Sequence, residues 1–171
     1  MLSPKIQAAL NAQINAEYYS SYLYLSMAAY AESLNLKGFA NWFRVQAQEE
    51  MFHALKFFDY VHQRRGRVEL KAVEAPPAQW NSPLAVFEQT LQHEIHVTSL
   101  INNLNDLAKA ESDYATQALL QWFVTEQVEE EANADAIIQQ LKLMQNAPGG
   151  LFMLDRELAQ RTYVPPAAGE P

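Results

Sequence analysis

Apolar residues recur at three- and four-residue intervals along four long stretches of the chain, and nowhere do they alternate as in a strand. The first stripe runs Leu10, Gln13, Glu17, Ser20, Tyr24, Met27, Ala31, and the second Phe39, Phe43, Gln46, Glu50, His53, Phe57, Tyr60. The third runs Leu84, Phe87, Leu91, Glu94, Thr98, Ile101, Asn105, Ala108, and the fourth Thr116, Leu120, Phe123, Gln127, Glu130, Ala134, Ile137, Leu141. Punctuation frames them: Ser3-Pro4 and Ser82-Pro83 read as cap and first helical residue. Gly38, preceded by Asn35, reads as a breaker, as do Gly66 and Ser112-Asp113, and Pro148-Gly149-Gly150 reads as a stop. The pattern predicts helices over roughly 4–34, 37–65, 83–110 and 113–145, and a short fifth near 150–160. Two connections are short and make antiparallel neighbours. The non-periodic segment from Val68 to Pro83, with Pro76 and Pro77, is long enough to run the length of a ~28-residue helix, about 42 Å. The expected fold is all-α: an antiparallel four-helix bundle with one long crossover and a short fifth C-terminal helix.

The polar residues on these stripes change the picture. Each helix carries an acid near mid-length on the face that should be core: Glu17, Glu50, Glu94 and Glu130. One unpaired buried carboxylate costs several kcal/mol or takes up a proton. Four would repel one another as well, and no Lys or Arg stands at the stripe centres. A multivalent cation would resolve both difficulties. The chain of 171 residues has 12 Lys+Arg against 20 Asp+Glu, a net charge of −8 that suits cations and disfavours a phosphate backbone. With no cysteine, thiolate zinc sites, iron–sulfur clusters and cysteine nucleophiles are excluded. No phosphate-cradling glycine loop is present. No run is long enough to span a membrane, and the first residues lack the pattern of a secretion signal, so a cytoplasmic protein is expected.

Carboxylates with one imidazole suit iron or manganese better than structural zinc. Glu50-x-x-His53 sets two donors one helical turn apart, the element that recurs in di-iron carboxylate bundles. With single acids at the centres of other helices, it marks a di-metal centre.

From Leu2 to about Tyr163 the chain resembles the bacterial non-haem ferritins. The likeness is carried by NAQINAEYYSSYLYLSMAAY, FRVQAQEEMFHALKFFDYV, LQHEIHVTSLINNL, LLQWFVTEQVEEE and PGGLFMLDREL. The resemblance implies a ferritin-like unit over 1–163 and a flexible tail over 164–171. It implies that Glu17, Glu50 and His53 hold one iron and that Glu50, Glu94 and Glu130 hold the second. Gln127 would line the site, and Tyr24 would hydrogen-bond it. Glu49, Glu126 and Glu129, with Glu130, resemble a third iron site, and the helical spacing puts these flanking acids just off the core stripe. The fourth helix carries Gln127-x-x-Glu130 rather than a second Glu-x-x-His, so the two irons should differ.

The implied function is iron storage with ferroxidase activity: Fe²⁺ is oxidised by O₂ or H₂O₂ and kept as mineral in a hollow homo-oligomeric shell of twenty-four subunits. The fifth helix (Leu151, Phe152, Leu154, Leu158), too short to stand alone, should pack against other subunits, and some of Tyr18, Tyr19, Tyr22 and Tyr30 are expected at interfaces. Three alternatives stay open: a bacterioferritin-like shell with haem on Met51, a non-catalytic helical shell or interaction protein, and a di-iron oxidase of an organic substrate. His62, His93 and His96 read as ordinary surface or interface residues and Trp122 as core. Asp106, Glu111 and Asp113, at the junction of the third and fourth helices, fit either an iron channel or solvated helix ends.

Overall fold

The structure is a computed structural model that describes residues 1–144, 147 and 149–165. Five helices follow in order: α1 (Pro4–Ser33), α2 (Lys37–Gln63), α3 (Pro83–Ala110), α4 (Tyr114–Met144) and α5 (Gly150–Leu158). Among the described residues there is no strand, and no helix is long and apolar enough to cross a membrane. Of the expected stop, Pro148 lies outside the described residues, as do residues 166–171 of the expected tail.

The serine caps form as the sequence predicts. Ser3 Oγ accepts from Ile6 N at 3.3 Å and Ser82 Oγ from Ala85 N at 3.1 Å, each before a proline. Asp113 Oδ1 caps α4 by accepting from Thr116 N at 3.1 Å. Each such cap contributes about 1 kcal/mol.

The helix ends correct the reading of the glycines. α1, α2 and α3 each stop on a left-handed residue, and these are Asn35 (φ 60°), Arg65 (φ 59°) and Ser112 (φ 53°). In each case the next amide folds back onto a carbonyl five residues earlier: Leu36 N to Ala31 O, Gly66 N to Val61 O, Asp113 N to Ala108 O, at 2.8–3.0 Å. This is the Schellman closure. Gly38 and Gly66 are needed instead for close approach. A Cβ on Gly38 would stand 1.6 Å from Asp155 O, and one on Gly66 would stand 2.9 Å from Gln7 Oε1.

The core falls into two apolar halves. One joins the C-terminal half of α1 (Leu23 to Ala31), the N-terminal half of α2 (Phe39 to Ala47), Val86 and Phe87 of α3, the end of α4 (Ile137, Ile138, Leu141) and Leu154 and Leu158 of α5. The other joins the opposite halves: Ile6, Leu10 and Ile14, Phe57 and Val61, Val97 to Ala108, and Leu120 and Phe123. This pairing makes α1 antiparallel to both α2 and α3, and α4 antiparallel to α2. The seam of α3 runs Phe87, Thr90, Glu94, Val97, Ile101, Leu104, Ala108, alternating steps of three and four. The expected Leu91, Thr98 and Asn105 lie half-buried beside it: both sets repeat every 3.5 residues, but the buried one takes the three-residue step from 87 to 90 and from 94 to 97, the opposite phase.

The crossover runs back along α1. Asn11 Nδ2 donates to Arg67 O at 3.1 Å, Asn11 Oδ1 accepts from Glu69 N at 3.3 Å, and Ser26 Oγ donates to Pro77 O at 2.5 Å. The short α5 packs on the starts of α2 and the end of α4 within its own chain, with Leu154 and Leu158 buried. This divides the expected apolar contact set: of its four residues Leu151 and Phe152 remain exposed for another copy, joined by Met153.

Candidate metal centre

Between the two apolar halves lies a layer of polar side chains. Glu17, Glu50 and Glu94 are 1% exposed, His53 3%, and Gln127 and Glu130 4%, with Tyr24 fully buried. Every stripe acid read from the sequence is thus inside. Burial raises all four carboxyl pKa values. Glu17 is pushed up to about 8 by burial and then by the charge of Glu50. Glu50 and Glu130 are held well above the usual range, by burial and then by the charge of Glu94. Glu94 is also raised by burial, although the Tyr24 and Gln127 hydrogen bonds oppose this.

The hydrogen bonds in the layer nearly all donate toward carboxylates. Gln13 Nε2 reaches Glu17 Oε1 at 2.8 Å, and Gln46 Nε2 reaches Glu130 Oε2 at 2.6 Å and Glu50 Oε1 at 3.5 Å. Gln127 Nε2 donates to Glu94 Oε2 at 3.2 Å, and the Tyr24 hydroxyl donates to Glu94 Oε1. His53 Nδ1 stands 3.3 Å from Glu50 Oε2. One oxygen, Glu17 Oε2, is buried with no hydrogen-bond partner. A buried acceptor of this kind fits a cation.

Donor atoms converge within 4.8 Å in two groups among the described residues: Glu17, Glu50 and His53, and His53, Glu126 and Glu130. The first is the triad assigned by resemblance to one iron. Glu50, Glu94 and Glu130, assigned to the second, do not form such a group: Glu94 is turned to Tyr24 and Gln127, and Glu130 to Gln46. Of the third-site set, Glu126 is half-buried and Glu129 exposed. Glu49 is paired with Arg161 from the segment after α5.

The sequence reading assigned no role to Gln13, Gln46 or Arg161. The glutamines were visible as polar members of their stripes. His93, expected as a surface or interface residue, also reaches the buried layer. It is half-buried, its Nε2 lies 2.8 Å from Ser20 Oγ, and its ring meets Tyr24 edge-on at 5.9 Å. Burial and neighbouring His96 lower its pKa to about 4, so it is neutral. His62 and His96 are exposed, as expected. Trp122 is partly buried, its ring centroid 5.4 Å from that of His53, and Met51 is 38% exposed. Of the junction acids, Asp113 pairs with Arg64 at 3.0 Å and Glu111 with Lys5 at 3.2 Å, while Asp106 is exposed.

The profile of the family Ferritin, described as a ferritin-like domain, matches residues 7–144. A bacterial non-heme ferritin of Bacteroides fragilis is 47% identical over 161 residues, covering 94% of this chain and all of that protein. Its counterpart in Staphylococcus aureus is 40% identical over 163 residues, covering 95% of this chain and 98% of that one. Among solved structures, an open pore ferritin of the hyperthermophilic archaeon Archaeoglobus fulgidus is 54% identical with a TM-score of 0.94, covering 95% of this chain and 100% of that chain. A closed form of the Archaeoglobus ferritin, engineered by site-directed mutagenesis, gives 54% and 0.95, covering 96% and 100%.

Proposed function

The chain belongs to the ferritin family, and from that premise we propose that it is an iron-storage ferritin with ferroxidase activity, working in the cytoplasm as a hollow shell of twenty-four copies. The observation that carries this reading is Glu17 Oε2, a buried carboxylate oxygen without a partner, in a triad with Glu50 and His53. Fe²⁺ is the substrate. Its arrival displaces protons from carboxyls whose pKa values burial has raised, and pairs their charges. Glu17, Glu50 and His53 take one ion, and Glu50, Glu94 and Glu130 take the other once Glu94 and Glu130 turn from their glutamine donors. Hard anionic oxygens stabilise Fe³⁺ over Fe²⁺ and so favour loss of an electron.

Two Fe²⁺ together give up two electrons. O₂ takes them with two protons to become H₂O₂, or H₂O₂ takes them with two protons to become two waters. Gln127 and Glu130 stand where a second Glu-x-x-His would put its Glu and its His, so the second ion has oxygen ligands alone. Fe³⁺ then passes to Glu49, Glu126, Glu129 and Glu130, a third site on the way to the mineral. Tyr24 holds Glu94 in place meanwhile.

An anaerobic crystal soaked with Fe²⁺ tests the assignment, with iron expected at both positions of the pair. His53→Ala should lower occupancy of the first ion far more than the second. Iron absent from Glu50 and His53, together with no iron-dependent oxygen uptake, would establish a non-catalytic shell. Light scattering that finds only monomers or dimers at micromolar protein would end the shell reading.

A further inference from the structure

Arg161 lies beyond α5, in a segment without regular structure. The structure nevertheless fixes it tightly. Asn41 Nδ2 donates to Leu158 O, Ala159 O and Arg161 O at 3.2, 3.4 and 2.9 Å, which ties the segment to α2. The guanidinium lies over the Trp42 ring, its carbon 4.5 Å from the centroid. One nitrogen, Nη1, donates to Gln46 Oε1 at 2.8 Å, and the other, Nη2, donates to Glu49 Oε2. Both side chains of the ion pair are largely shielded, at 22% and 24% exposure.

The fork acts on two things at once. A guanidinium can only donate, so its bond to Gln46 Oε1 settles which end of that amide faces inward. The NH₂ end must point into the acid layer, where it donates to Glu130 at 2.6 Å and to Glu50 at 3.5 Å. The second arm supplies Glu49 with a positive partner before any metal arrives. One residue therefore touches both the amide that donates to the acids of the pair and the carboxylate assigned to the third site.

We propose that Arg161 is a resident counter-ion and positioning residue of the iron path. It occupies Glu49 so that a cation gains the third site only by displacing it, and it orients Gln46 toward Glu130. The third site is thereby kept weak, which suits a station that iron must leave. This rests on the third-site assignment made above.

Anaerobic calorimetry with Zn²⁺ alone, a redox-inert probe, tests the idea on the assembled protein. Crystals soaked in Zn²⁺ give the occupancy of each position from anomalous density. Arg161→Gln should tighten the third Zn²⁺ per subunit by about three- to fivefold, the scale of a partly shielded ion pair removed, and raise its occupancy. Arg161→Lys keeps the charge on Glu49 and should bind that third Zn²⁺ as the unaltered chain does. Its single-point ammonium cannot also fork to Gln46, so Glu130 should still show altered density. In a Glu49→Gln background Arg161→Gln should have no effect on the third ion.

Three Zn²⁺ per subunit with equal affinity in the unaltered and Arg161→Gln chains would overturn the counter-ion role alone. Two Zn²⁺ per subunit in both would overturn the third site and this role together. A tightening that persists undiminished in the Glu49→Gln background, with Glu130 density unchanged, would mean that Arg161 acts only by holding the segment down, and would overturn the proposal.

Discussion

The Tyr24 hydroxyl donates to Glu94 Oε1 across the contact between α1 and α3, inside a layer closed to solvent. The Tyr24 ring is held on one side by Phe43, stacked at 6.2 Å, and on another by the edge of His93 at 5.9 Å. Glu94 keeps a second donor, Gln127. Tyr24→Phe should therefore preserve the fold and still admit Zn²⁺ to the pair, while slowing Fe²⁺ oxidation by about tenfold, as outer partners of metal ligands do. Stopped-flow oxidation rates check this, and a rate equal to that of the unaltered chain would remove Tyr24 from the machinery.

The acid layer should make the metal-free protein sensitive to alkali. Unfolded, Glu17 loses its proton near 4.5; folded and without metal, it holds it to about pH 8. Between those values the folded chain carries a proton that the unfolded chain has released. Stability therefore falls as pH rises through that window, by about 1.4 kcal/mol per pH unit for one carboxyl. The contribution is whole below pH 4.5 and gone above about pH 8. Glu50, Glu94 and Glu130 shift in the same direction. Melting curves of chelator-treated protein should drop from pH 5 to pH 8, Zn²⁺ should restore the loss, and Glu17→Gln should flatten the slope. A melting temperature that rises with pH across this range would contradict the buried-acid account.

Gly38 and Asp155 predict how α5 is held. The carboxylate of Asp155 accepts from Gly38 N at 2.8 Å and Phe39 N at 3.1 Å, so it caps α2 where no residue of α2 does. Asp155→Ala should cost about 1 kcal/mol. Gly38→Ala should do more, because its methyl would meet the Asp155 backbone carbonyl rather than a side chain able to swing away. Limited proteolysis should then cut near α5 faster in Gly38→Ala than in Asp155→Ala, with Arg161 loosened alongside. Equal protection in both variants would show that α5 is held by Leu154 and Leu158 alone.

The helices and their acids were legible because each is a local, periodic signal. Ser3-Pro4 starts α1 wherever the chain goes next, and an acid at a 3-4 position stays on that face. The glycines misled because a stop is set by the bond from Gly66 N to Val61 O, which leaves Arg65 to turn left-handed, whereas crowding by Gln7 or Asp155 comes from distant chain. Arg161 was invisible for the same reason: it meets Gln46 across 115 positions from a segment with no period. His93 sits just off the α3 seam, and only the packing of α1 against α3 brings Ser20 and Tyr24 to it. α5 looked like an intersubunit element because it is too short to stand alone, which says that it must be covered but not by which chain.

Glu130 offers the sharpest test, because its neighbour Glu131 is a built-in control. Both belong to one acidic run on α4, and a solvated-face reading would make them interchangeable. The structure separates them. Glu130 is 4% exposed, accepts from Gln46 and converges with His53 and Glu126, whereas Glu131 is half-buried and accepts from Thr98 Oγ1 at 2.5 Å. A carboxylate at 130 can turn one oxygen toward the pair and the other toward Glu126; an imidazole has one nitrogen to offer on one side. Glu130→His should still fill the pair with Fe²⁺, yet lose most third-site occupancy and change the ratio of iron oxidised to oxygen consumed. Glu130→Gln should slow oxidation strongly, while Glu131→Gln should change it less than about twofold, as substitutions away from a ligand set do. Oxygen-electrode traces of the three variants decide the matter, and equal small effects of the two glutamine substitutions would reduce Glu130 to one more charge on the run.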